Sequence, residues 1–103
     1  MVLRGGYNVY PREVEEVLLR HDAVAQVAVI AVPDPQLGEE VCAVVVRSPE
    51  AEGSDEELGA AIITWSKDRM AKYKYPRRVE FVEAMPLGPS GKVLKRELVE
   101  RYA

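Results

Sequence analysis

The chain is poor in the residues from which most self-contained sites are built. It has one cysteine, Cys42, and one histidine, His21. A single thiol excludes a disulfide framework, and with a single imidazole it excludes a cysteine–histidine metal cluster, so a reducing, cytoplasmic setting is expected. Cys42 stands inside an apolar run, His21 belongs to a different element, and nothing adjacent would lower the thiol pKa. Cys42 therefore reads as core filling and not as a nucleophile. No apolar run approaches the roughly 20 residues that span a bilayer, and Met1-Val2-Leu3-Arg4 is too short for a signal peptide. A basic excess is also missing: the net charge is −3, whereas general nucleic-acid binders rest on a basic surface. There is no internal repeat, no low-complexity tract and no Walker-type loop, since Gly88-Pro89-Ser90-Gly91-Lys92 lacks the G-x-x-x-x-G-K-S/T spacing.

What remains is the composition of a folded domain: 103 residues, 48% hydrophobic and 30% charged. That length supports one modest core but not a deep enclosed active site as well, so the chain reads as a module that works on something else. Charge is segregated, with basic stretches at Lys67–Arg78 and Lys92–Arg96 and an acidic one at Glu50–Glu57.

Met1–Arg4 and Tyr7–Tyr10 read as short strands joined by Gly5-Gly6, a pair that tolerates positive φ at both positions of a tight hairpin. Pro11 opens a helix, with Glu13 placed to reach back to the Tyr10 N–H and with Val14, Val17 and Leu18 forming the apolar stripe. Glu15 and Glu16 read as a solvated face, because adjacent helical positions do not converge. His21 and Asp22 close the helix, where an imidazolium suits the C-terminal dipole. Val24–Val32 and Val41–Val46 are valine-rich runs, the pattern of strands covered on both faces; Pro33-Asp34-Pro35-Gln36-Leu37-Gly38 reads as a loop that ends the ladder and makes the pair antiparallel. Ser54-Asp55-Glu56-Glu57 has capping-box form, and Leu58, Ala61, Ile62 and Trp65 line the inner face of the helix that follows. A strand at Val79–Val82 and a helix from about Leu94 to Tyr102, with Leu94, Leu98 and Tyr102 on one face, complete the order. The expected fold is α+β: a small sheet of about three strands flanked by about three helices, plus an N-terminal β-hairpin.

Two stretches carry chemistry. Pro86 to Lys92 holds a lysine on a Gly/Pro/Ser loop just before a helix, which can carry an ammonium to a ligand phosphate on another surface; a plain basic turn is the alternative. In Lys72-Tyr73-Lys74-Tyr75-Pro76-Arg77-Arg78 the tyrosines interleave with basic side chains, suiting a stacked base and its phosphates, or merely a charged edge leading into the next strand. Gly5-Gly6 is either backbone thin enough to pass beside a ligand or an ordinary turn. Two function classes fit. One is RNA binding, because Gly88-Pro89-Ser90-Gly91 formally matches the G-x-x-G of KH domains, although it follows a strand and contains a proline. The other is a catalytic lid that delivers Lys92 to an active site on a larger domain.

Five motifs follow in order along the chain: Gly5-Gly6-Tyr7-Asn8-Val9-Tyr10-Pro11-Arg12-Glu13-Val14-Glu15, Val32-Pro33-Asp34, Gly38-Glu39-Glu40, Tyr73-Lys74-Tyr75-Pro76 and Pro86 through Gly91-Lys92-Val93-Leu94-Lys95-Arg96. Together they resemble the C-terminal domain of the adenylate-forming superfamily, and within it the bacterial fatty-acid and other acyl-CoA synthetases that form AMP. The resemblance implies a two-step ligase: a carboxylic acid and ATP give an acyl-adenylate and pyrophosphate, and the CoA thiol then displaces AMP. It implies that this small domain rotates between steps on a large N-terminal domain that holds ATP, Mg²⁺ and the acyl pocket. Lys92 matches the lysine that enters the active site in the first step. Gly5, Gly6 and Tyr7 match the motif lining the pantetheine passage in the second, and Tyr73 and Lys74 lie by similarity near the CoA nucleotide, with Arg77 or Arg78 as further phosphate partners. No residue of the chain is implied as a metal ligand.

Two departures narrow this reading. The hinge residue, and the aspartate and arginine that grip the ribose of ATP, are expected upstream of Met1, and Pro86-Leu87 replaces the more usual proline-lysine. Residues 1–103 are thus expected to be a single lid domain, inactive alone, partnered by the large domain, with no nucleic acid and no transmembrane segment. An adenylation domain that loads a carrier protein, or a luciferase-like relative, stays open, and the resemblance also marks Lys92 as a site where acetylation would remove the charge.

Overall fold

Strands β3 (Val24–Asp34) and β4 (Gly38–Arg47) form a long antiparallel pair in the computed structural model, which describes residues 1–103. Side chains alternate across β4: Val41, Ala43 and Val45 enter one core, while Cys42 and Val44 enter another. The first core is closed by Val14 and Leu18 of α1 (Pro11–Leu18) and by Ile62 of α2 (Asp55–Lys67); the second is closed by Leu98 of α3 (Lys95–Tyr102) and by Met85. The sheet is therefore buried on both faces, as the valine runs lead one to expect.

The far edge of β4 takes two partners in tandem. β1 (Val2–Arg4) joins it antiparallel through Arg4↔Gly38, and β5 (Arg78–Phe81) joins it parallel from Cys42↔Arg78 to Val45↔Phe81, α2 making the crossover that a parallel pair requires. β2 (Tyr7–Val9) lies outside β1, giving a 5-stranded sheet with the order β2-β1-β4-β3 and β5 on β4. The α+β class holds, and the sheet is larger than the expected three strands because the hairpin is absorbed into it. A hairpin left to itself would be marginal in water. No helix is long and apolar enough to cross a membrane.

Local details depart from the sequence reading where tertiary partners intervene. The ladder continues through Pro33↔Glu39 to Asp34↔Gly38 and does not stop before the proline. The Val29 N–H points out of the ladder toward Glu15, and Pro33, an even number of residues further, turns its nitrogen the same way from this outer strand, so no ladder donor is lost. The turn shrinks accordingly, with the Asp34 carboxylate accepting from the N–H groups of Gln36 at 3.0 Å and Leu37 at 2.7 Å. Glu13 does not cap Tyr10; it pairs with Lys74, whose ammonium is the stronger partner. Helix α1 ends at Leu18, and His21 uses Nδ1 to accept from the Ala23 N–H instead of closing the helix.

The capping box of α2 closes both ways, Glu57 N donating to Ser54 Oγ at 3.1 Å and Ser54 N to Glu57 Oε1 at 3.3 Å. The helix is rotated from the expected face: Gly59, Ile62 and Ser66 are buried, while Ala61 is exposed. Gly59 faces Val79 and Phe81 of β5, which a Cβ there would meet at 3.7 Å, an ordinary van der Waals distance, so alanine would also fit. Trp65 is partly buried, edge-on to His21 and covered by the Arg69 guanidinium.

Candidate functional site

The period-two alternation of β1 places Arg4 on the same side as the buried Val2. Only 3% of Arg4 is exposed, and its NH1 donates to the carbonyls of Tyr73 at 3.0 Å and Tyr75 at 2.8 Å, while NH2 faces the Glu40 carboxylate of β4 as an ion pair. Its Nε and NH2 have no aligned hydrogen-bond acceptor. Burial pulls the guanidinium below its ordinary pKa, and the charge of Glu40 opposes that shift. A planar fork can grip two carbonyls and a carboxylate at once. Arg4 thereby clamps the irregular segment 73–75 onto the hairpin.

The consequence is a stack of Tyr7 on Tyr73, ring centroids 4.7 Å apart and 18° from parallel. The two rings form one wall of an open cleft of about 200 Å³, lined also by Gly5, Leu37, Lys72, Arg77 and the buried Arg4. Lys72 and Arg77 are exposed and engaged in no ion pair, Arg77 lying over the Tyr75 ring at 5.6 Å, so the cleft combines a flat apolar wall with positive charge that no carboxylate neutralises. That combination can receive an aromatic ring bearing phosphate.

Of the residues nominated from sequence, Gly5, Tyr7, Tyr73 and Arg77 meet in this cleft. Gly6 stands at the adjoining hairpin turn with φ +89°, and a Cβ there would meet no atom within 4 Å. Lys74 does not line the cleft; its ammonium lies 5.6 Å from the Tyr73 ring centroid and pairs with Glu13 at 3.0 Å, a hydrogen bond that raises its pKa. Arg78 is spent on Glu80 at 2.7 Å and on the Tyr102 carbonyl at 2.9 Å, tying β5 to the end of α3; its hydrogen bond to Glu80 raises its pKa. Cys42 is fully buried, and burial pushes its thiol up to about 12.

Lys92 does not line the cleft but sits on a separate small hairpin. Leu87 and Val93 bridge antiparallel, Gly88 N donates to the Lys92 carbonyl at 2.9 Å, and Leu94 N donates to the Pro86 carbonyl at 2.8 Å. Gly91 has φ +81°, and Leu94 caps α3 instead of lying on its inner face, packing over Gly88. The Lys92 side chain is exposed and engaged in neither an ion pair nor a side-chain hydrogen bond. At the foot of this hairpin Lys95 Nζ meets Glu15 Oε2 at 2.7 Å, and the same oxygen accepts from Val29 N at 2.8 Å. Glu15 is therefore engaged and not the solvated charge its neighbour Glu16 suggests. Arg4 and Glu15 both escaped the sequence reading. The alternation of β1 signals the first, and the spacing of Glu15 to Leu18 signals the second.

Residues 13–92 match the model of the family described as AMP-binding enzyme C-terminal domain. The chain belongs to this family. It is 43% identical to the long-chain-fatty-acid–CoA ligase of Bacillus subtilis, over 97% of this chain and 17% of that protein. It is 41% identical to a fatty acid–[acyl-carrier-protein] ligase of Streptomyces coeruleorubidus, over 98% of this chain and 19% of that protein. Its backbone superposes on ATP-bound MatB from Rhodopseudomonas palustris with a TM-score of 0.90 and 38% identity, covering 99% of this chain and 20% of that one. The chain thus spans about a fifth of the length of these relatives. In this AMP-binding enzyme C-terminal domain, Gly88 to Gly91 closes a hairpin and does not join two helices, so the KH-like alternative loses its footing.

Proposed function

We propose that this chain is the mobile small domain of an AMP-forming acyl-CoA synthetase, and that its two exposed sites serve the two steps of the reaction in turn. In this reading the rest of the enzyme is a large domain that holds the carboxylic acid, ATP and Mg²⁺. The lone buried thiol of Cys42 supports a reducing, cytoplasmic setting.

The observation that carries the proposal is Lys92: an unpartnered ammonium on a short loop closed at its base by backbone hydrogen bonds. Attack of a carboxylate on the α-phosphate builds negative charge on the phosphoryl oxygens, and a compact ammonium brought to that point offsets it. In the second step the cleft at Gly5, Tyr7 and Tyr73 receives CoA, Lys72 and Arg77 meeting phosphate and the tyrosine wall meeting the adenine. Gly6, beside this cleft, leaves room for the pantetheine arm. Lys74 acts at one remove, its charge shared with Glu13. A carrier-protein acceptor in place of CoA is the second reading, favoured by the similarity to the acyl-carrier-protein ligase.

The test is Lys92→Ala in the ligase that carries this chain. Adenylation, followed by pyrophosphate exchange, is expected to fall by on the order of 10²–10³. Thioester formation from a supplied acyl-adenylate is expected to be unchanged. Equal loss of both half-reactions would remove Lys92 from the first step.

A further inference from the structure

Glu15 lies on α1, distant in sequence from the lysine loop, yet one carboxylate oxygen joins three elements. Oε2 accepts from the Val29 N–H of β3 at 2.8 Å and meets the ammonium of Lys95, the first residue of α3, at 2.7 Å. The Glu15 side chain is 20% exposed and that of Lys95 42%, so the pair is partly shielded from solvent. A lysine is poorly placed at a helix N-terminus, where the helix dipole already presents positive charge, and α3 has no side-chain cap to relieve it. The carboxylate brought from α1 offsets that cost.

The consequence reaches Lys92. Only Val93 and Leu94 separate Lys95 from it; Val93 is bridged to Leu87, and the Leu94 N–H is bonded to Pro86. The small hairpin is thus internally closed; Met85 before it and Val93 within it seat it against the second core, and α3 begins at its foot. Leu98 anchors that helix in the core one turn later, and the Lys95–Glu15 pair fixes its first residue. We propose that Glu15 is a positioning residue which, through Lys95, sets the direction in which the loop presents the Lys92 ammonium. This rests on the adenylation role of Lys92 argued above.

The variants that test it are Glu15→Gln, which keeps an oxygen for the Val29 N–H but removes the charge facing Lys95, and Lys95→Met. In the ligase that carries this chain, each is expected to slow adenylation roughly fivefold, the effect of losing one partly exposed ion pair. The double variant should be no slower than either single one, Lys95→Arg should restore the rate, and thioester formation from a supplied acyl-adenylate should not change. In the 103-residue chain, NMR order parameters at Gly91 and Lys92 should fall in both single variants while the melting temperature moves little. Severe loss of adenylation in Lys92→Ala, together with normal rates and normal loop order in Glu15→Gln and Lys95→Met, overturns this proposal alone. Normal adenylation in Lys92→Ala overturns the assignment of Lys92 and this proposal with it.

Discussion

The ring of Tyr7 lies 4.7 Å from the ring of Tyr73, 18° from parallel, although the two residues are far apart in sequence. Tyr7 is carried by strand β2, but Tyr73 belongs to no regular element and is held through its own carbonyl by Arg4. Tyr7 remains 58% exposed, so the stack presents an open aromatic surface beside Lys72 and Arg77.

If that surface receives the base of CoA, Tyr73→Ala should raise KM for CoA roughly tenfold, the range of one lost aromatic–base contact. Tyr73→Phe should stay near wild type, because the ring and not the hydroxyl makes the wall. Steady-state rates at varied CoA concentration decide it. An unchanged KM in Tyr73→Ala would place the nucleotide elsewhere.

Gly6 separates backbone strain from ligand space. Its φ of +89° penalises any L side chain, while nothing lies within 4 Å of a Cβ built there. Gly6→Ala and Gly6→Leu should therefore lose similar stability, about 1–2 kcal/mol. The leucine should slow the CoA step far more than the alanine, with adenylation little changed. Thermal melts and single-turnover thioester formation give the two readouts, and equal CoA rates would move the passage away from this turn.

Arg4 is the main structural support of the cleft. Arg4→Met removes the counter-charge of the partly buried Glu40 and frees the Tyr73 and Tyr75 carbonyls, so urea unfolding should show a loss of about 3 kcal/mol. Adding Glu40→Leu should recover part of it, because the carboxylate no longer faces a missing partner. Arg4→Lys should recover little, since one ammonium cannot reproduce the forked grip.

Cys42 supplies a pH dependence whose sign follows from burial. Its folded value is pushed up to about 12 from an ordinary value near 9, so above that ordinary value the unfolded chain releases a proton that the folded chain keeps. The contribution is fully present below pH 9 and is lost as pH rises toward 12, at up to about 1.4 kcal/mol per pH unit. Subtracting the alkaline stability curve of Cys42→Ala from that of the wild type should expose this slope. In the folded chain the thiol should resist alkylation at pH 8 and become reactive on unfolding.

Much of the architecture was legible because it depends on local pattern. Valine runs specify strands covered on both faces, Ser54 and Glu57 specify a helix start, Gly5-Gly6 specifies a mirror-image turn, and the ordered motifs led to the family. What the pattern could not reach was decided by partners distant in sequence. Pro33 stays in the ladder because β3 is an outer strand, and α2 turns Gly59 inward because Val79 and Phe81 lie there. Glu13 leaves its helix end for Lys74.

The same division holds for the site. Adjacent residues are enough to put Lys92 on a Gly/Pro/Ser loop ahead of a helix and to alternate tyrosine with basic residues before Pro76. Packing between distant segments brings Tyr73 onto Tyr7, commits the Lys74 ammonium to Glu13, makes Arg4 hold the cleft together, and carries Glu15 to the foot of the lysine loop. Period and composition report which face of an element is buried. They carry no record of which buried charge will meet which backbone carbonyl once β1, β4 and β5 share an edge.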